Sequence, residues 1–266
     1  MGKIFVLVTL VALSLTATTS AFADTPTALE LLTVGEDGFI NQAYFLQGDY
    51  EHSTGTGIIQ PFLHVQQKGV EQGYNTDGST DQFPESNSPW TKSLLLSAVP
   101  VVSKLNEQGV YENYREFLLD INESSGGGDE GFLSLDALQL FVGPVLDPEK
   151  SPLYYPDNLG TKIWDMDAST NWTIYLDYSL ETGSGSGDML AYIPSRLFTG
   201  GDYVYLYCMF GDQGTDAEGR RWGAWDGFEE WAVKTASPPV PEPGGLLAFA
   251  TGLISLIGLS TRRFRS

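Results

Sequence analysis

Asp165-Met166-Asp167 places two carboxylates one residue apart. In an extended chain that spacing puts both on one face, about 7 Å apart. Calcium takes carboxylate and carbonyl oxygens, so the pair can hold a hard cation if loop carbonyls complete its shell. The further ligands and closing glutamate of an EF-hand are missing, and the plainer reading is a solvated strand end. Glycoside cleavage also needs two carboxyls, set across one sugar. Glu229-Glu230 and Asp129-Glu130 are adjacent, so in a strand they point to opposite faces and neither is an acid/base couple on that geometry. Gly183-Ser184-Gly185-Ser186-Gly187 is not a nucleophile elbow, because glycine rather than serine holds its centre. No Gly-Lys-Ser/Thr closes it as a phosphate loop, and it reads as a mobile loop. His52 and His64 show no metal spacing and no serine partner. Cys208 lies between Tyr207 and Met209 in an apolar run and reads as a buried, inert thiol. No catalytic residue is assigned.

Six tryptophans remain: Trp90, Trp164, Trp172, Trp222, Trp225 and Trp231. Aromatic planes stack on the apolar faces of sugars. Trp222 and Trp225 stand in Gly-Arg-Arg-Trp-Gly-Ala-Trp-Asp-Gly, a loop-like stretch, and are the candidate ligand contacts. The competing role is packing beneath that loop.

The elements that must position these residues are strands. Trp172, Ile174, Leu176, Tyr178 and Leu180 alternate with smaller or polar residues, which puts five large groups on one sheet face. Residues 203–210 are rich in β-formers and bounded by glycines. Residues 117–121, 39–46 and 228–233 read as further strands, and 133–142 as a strand that also fits a short helix. Pro61, within 57–66, marks an edge strand or a bulge. Glycine-rich and Asn/Asp-rich turns separate the runs, among them Asn75-Thr76-Asp77-Gly78. The fold class is all-β, an antiparallel sandwich or jelly roll. A single cysteine excludes an internal disulfide framework.

Both chain ends carry transport signals. Lys3, the apolar run 4–15 and the small residues Ala21 and Ala23 have the layout of a secretory signal peptide, residues 1–23, cut after Ala23. At the other end the proline-rich stretch 238–243 excludes helix. Residues 244–260 are 17 in a row without charge, about 26 Å as a helix, near the lower limit for crossing a bilayer. Arg262, Arg263 and Arg265 follow and stay on the cytoplasmic side by the positive-inside rule. The body between, residues 24–237, is therefore exported. It holds 33 of the 34 acids and 10 of the 14 bases. Such a charge keeps it soluble and argues against a nucleic-acid partner.

Val240-Pro241-Glu242-Pro243, the short apolar helix and the terminal arginines together resemble the PEP-CTERM sorting signal of Gram-negative bacteria. The resemblance covers residues 240–266, and no family emerges for the body. It implies transient tethering in the inner membrane through 244–260. It also implies recognition by signal peptidase and an exosortase-type protease, cutting near the Pro-Glu-Pro, and release to the cell surface or extracellular matrix of a biofilm-forming cell. The expected function is a non-enzymatic structural or adhesive sandwich. The alternatives are a carbohydrate-binding module acting on exopolysaccharide and a glycan-active enzyme. Intact-mass spectrometry of the exported protein is expected to give a chain that begins at Asp24 and lacks Arg262, Arg263 and Arg265. Retention of those arginines would remove the sorting assignment.

Overall fold

The computed structural model describes residues 25–48, 59–77, 82–86, 89–123, 131–146, 155, 158–180, 187–225 and 227–235. The expected signal peptide, the expected sorting motif, the expected membrane segment and its arginines, His52, the pair Asp129-Glu130 and most of the glycine-serine segment at 183–187 lie outside them. Fourteen strands follow in chain order among the described residues. They are β1 (Thr27–Leu31), β2 (Asp37–Ile40), β3 (Ala43–Gln47), β4 (Ile59–Val65), β5 (Glu71–Tyr74), β6 (Leu94–Leu95) and β7 (Val101–Leu105). After these come β8 (Tyr111–Asp120), β9 (Phe132–Gly143), β10 (Thr161–Asp165), β11 (Trp172–Asp177), β12 (Met189–Pro194), β13 (Tyr203–Phe210) and β14 (Glu229–Lys234). The helical pieces are single 3-10 turns. Among the described residues no helix is long and apolar enough to cross a membrane.

The strands form two sheets. One runs β1-β11-β9-β13-β5, with β10 also on β9 and β6 also on β13. The other runs β2-β3-β12-β8-β14-β4, with β7 also on β8. Every pairing is antiparallel except β1 with β11. Period-two alternation explains how the sheets meet. Along β13, Val204, Leu206, Cys208 and Phe210 join the shared core with Phe62, Phe117 and Trp231 of the facing sheet. Tyr205 and Tyr207 point outward into a second aromatic cluster with Tyr74, Phe83 and Phe141. The strand is therefore apolar on both faces and reads as a continuous run.

Three expectations change in detail. Residues 39–46 form a hairpin, β2–β3, rather than one strand. Its turn residues Asn41 and Gln42 have φ of 46° and 71°, the left-handed pair a two-residue hairpin needs, but without the glycine that normally signals it. The alternation from Trp172 stops at Asp177, whose Oδ1 accepts the Ser179 N–H at 2.8 Å and turns Tyr178–Leu180 into a 3-10 turn. Pro61 sits on an edge strand and at a bulge together, because β4 ends its sheet and its register with β14 slips between Leu63 and Pro61.

β13 is served on one side by two strands with a gap between them. β6 meets Tyr203 and Val204, and β5 meets Tyr207 to Phe210. Asn75 bridges the gap. Its Nδ2 donates to the Val204 carbonyl at 3.0 Å, and its Oδ1 accepts the Leu206 N–H at 2.6 Å. Both partners are buried, and each costs about 1–3 kcal/mol if left unpaired. Asn75→Ala is expected to lower unfolding stability by about 2–4 kcal/mol. In urea denaturation this reads as a lower midpoint with an unchanged slope.

Candidate functional site

The outer edge of β4 is bounded by two short segments. The Gln66 N–H donates to the Glu85 carbonyl at 3.1 Å, tying down the 3-10 turn Pro84–Ser86. Thr91 Oγ1 accepts the His64 N–H at 3.1 Å, and the Lys92 N–H donates to the Phe62 carbonyl at 2.9 Å. These bonds occupy backbone groups that an edge strand leaves open. They also hold Trp90, 57% exposed, over a surface groove of about 510 Å³. The groove floor carries the rings of His64 and Phe228, whose centroids lie 4.3 Å apart. Gln66, Glu85 and two prolines, Pro84 and Pro89, form its walls. Burial lowers the His64 pKa, so its ring is neutral at pH 7 and offers one donor and one acceptor. An exposed indole beside a second ring and a few polar groups is the chemistry of sugar stacking.

Nearby, two carboxyls join the sheets. Glu71 opens β5, Glu229 opens β14, and each is 1% exposed. Glu71 Oε2 accepts the Gln67 N–H at 2.8 Å. Oε1 of each carboxyl finds no donor, and the two carboxyls stand close enough to perturb each other's titration. Burial, and for Glu229 the charge of Glu71, raises both pKa values. Cys208 is the third member. Burial first, then the charge of Glu71, pushes its thiol well up, and it stays protonated. Both carboxyls are closed off from solvent, whereas glycoside cleavage needs room for a sugar and a water at its two acids. Glu230, the next residue, points the other way, half-buried across from His64.

The residues singled out in the sequence fall elsewhere. Trp222 is 2% exposed. Its ring packs 4.2 Å from that of Tyr175 and 5.3 Å from that of Phe132, its Nε1 donates to Asp216 at 3.0 Å, and Arg220 covers it. It fastens the loop from beneath. Trp225 is half-buried under Arg221, and its N–H donates to the Glu123 carboxylate at 3.1 and 3.2 Å. Asp165 ends β10, and Asp167 stands in the turn that follows rather than along a strand. Asp165 Oδ2 pairs with Lys162 at 2.6 Å, and its Oδ1 accepts the Asp167 N–H. Asp167 Oδ1 accepts the Trp172 N–H at 2.8 Å. Both carboxylates thus hold the turn. Among the described residues no three His, Cys, Asp or Glu side chains cluster in metal-binding fashion.

Trp90 was one of six tryptophans, and its signal was weak. It follows Pro89 at the end of a long polar segment, the setting in which a large ring is left at the surface. The Glu71–Glu229 contact, across 158 residues of sequence, left no local trace. No family model, no curated protein and no solved structure matches this chain.

The acid pair makes stability depend on pH with a definite sign. Raised native pKa values mean that the folded state holds a proton the unfolded chain has lost, so stability falls as pH rises above the ordinary glutamate range. Glu229→Gln supplies a neutral donor to Glu71. It is expected to gain about 1–3 kcal/mol at pH 8 and to flatten the decline between pH 5 and pH 8 in chemical denaturation.

Proposed function

We propose that this protein is an exported, cell-surface or matrix β-sandwich that binds polysaccharide as an adhesive module and does no chemistry on it. The single observation behind this reading is Trp90, held open over the His64–Phe228 floor by hydrogen bonds to an edge strand. A buried core tryptophan needs no such scaffold. An exposed one stabilises the fold little, and a ligand face accounts for its position. The two end signals supply the setting. The signal peptide would start export, and the sorting segment would hold the chain at the inner membrane until an exosortase-type protease frees it.

The groove's composition fits a neutral or weakly polar glycan. One ring face takes the apolar side of a sugar, while Gln66, Glu85 and neutral His64 take its hydroxyls. The formal net charge of −20 opposes anionic polymers. Calcium bridging at Asp165 and Asp167 would relax that opposition, and calorimetry with calcium on the parent and on Asp165→Ala addresses it.

In pull-down assays with insoluble neutral polysaccharides, Trp90→Ala is expected to weaken binding about five- to tenfold, as loss of one stacking contact implies. Trp222→Ala should instead lower stability through loss of a buried ring. Unchanged binding in Trp90→Ala would overturn the groove assignment. Release of reducing ends during incubation would overturn the non-catalytic part.

A further inference from the structure

A second cleft of about 370 Å³ opens at the other end of the same sheet. It lies between the β2–β3 turn, the β7–β8 turn and the 3-10 turn Ser195–Leu197. Its groups are almost all polar and planar. Arg196 Nε lies 3.3 Å from Glu112 Oε1, and Arg196 Nη2 donates to Gln42 Oε1. Asn106 Nδ2 donates to Glu112 Oε2 at 3.3 Å, while its Oδ1 accepts the Gln108 and Val110 N–H groups and fixes the β7–β8 turn. Two observations set the cleft apart from ordinary surface. Tyr114 is fully buried, and its hydroxyl, on the cleft side, makes no hydrogen bond. Gln42 occupies a left-handed position, φ 71°, where glycine fits without strain. The chain carries that strain and so places an amide at the cleft wall.

We infer that this cleft is a second saccharide site, taking a neutral hydroxylated sugar unit through paired hydrogen bonds rather than ring stacking. Asn106, Glu112 and Arg196 hold one another in place, while the planar ends of Glu107 and Gln108 in the cleft lining carry two adjacent polar atoms each, the spacing that vicinal hydroxyls match. Its volume lies within the range of small-ligand sites. Glu107 and Glu112 outnumber Arg196, which disfavours a uronate and favours a neutral sugar. The first groove adjoins Phe228 and hence the Asp120 end of β8, where Glu230 pairs with Asp120. The second lies at the Glu112 end. Eight residues of strand separate the ends, about 27 Å, so one molecule can engage two glycan chains. That consequence rests on the groove reading above; the second site itself does not.

Calorimetric titration of the exported protein with cellotetraose, xylotetraose, mannotetraose and tetragalacturonate tests the assignment. At least one neutral tetraose is expected to bind in Trp90→Ala, at one site per chain. Tyr114→Phe and Gln42→Gly, made in that background, are expected to weaken it about three- to tenfold. Gln42→Gly relieves strain, so it weakens binding without lowering thermal stability, which separates a ligand role from a structural one. Undiminished affinity in both variants, tighter binding of tetragalacturonate, or no neutral-tetraose binding in Trp90→Ala would each overturn the second site. Failure of the first groove alone appears as unchanged binding on Trp90→Ala, with Tyr114→Phe still effective.

Discussion

Carboxylates take the place of caps in this molecule, and the loops depend on them. A sandwich with almost no helix has many turns, and each turn leaves backbone N–H groups that no strand satisfies. Here acidic side chains accept them again and again. Glu36 takes the N–H groups of Leu32 and Thr33, Asp188 takes that of Ile121, and Asp216 takes those of Glu218 and Arg220. Asp136 gathers four groups at once: the Asp212 N–H, the Gln213 amide and the hydroxyls of Ser134 and Thr173. The acid excess thus does two jobs. Part of it is solvated surface charge, and part is the internal acceptor set that holds the loops to the sheets.

The same constraint accounts for the groove. β4 is an edge strand interrupted by Pro61, so its outer side needs covering. The segments at 84–86 and 90–92 supply the cover, and prolines at 84 and 89 limit the backbone freedom of both. Gly73 matters for the first of these. A Cβ there would collide with Ser86, so only glycine lets the 84–86 turn lie against β5. Trp90 is exposed as a consequence of where the covering segment must run. If the proposed function holds, edge protection and ligand display are one arrangement of chain.

What could be read from the sequence followed from periodicity, which is local. The limits of β13 were legible to the residue, because aromatic and branched side chains fill both of its faces and glycines bound it. The edge character of β4 was legible from one proline. The β2–β3 turn was not, since Asn41-Gln42 lacks the glycine that usually announces left-handed geometry. Asn75 looked like loop chemistry, and its side chain instead completes a sheet ladder. Trp222 looked like a displayed ring because its neighbours are glycines and arginines. Yet its partners Phe132 and Tyr175 come from strands far away in sequence, and no local pattern records them. The acid pair escaped for the same reason: each glutamate reads as surface until the fold brings the other beside it.

Charge then limits what a polysaccharide partner can be. The body is strongly negative throughout, so a polyanionic chain approaching either cleft meets repulsion that counterions screen only beyond about 8–10 Å. Within contact distance the repulsion must be offset by hydrogen bonds to groups that are themselves mostly acceptors, and acceptors gain nothing from a carboxylate. A neutral chain has the opposite profile. Its hydroxyls would donate to the glutamates, and its apolar faces would cover an exposed indole. Net charge also keeps like molecules apart in solution. Under the proposed function, adhesion would therefore run through the glycan rather than through contacts between copies of the protein.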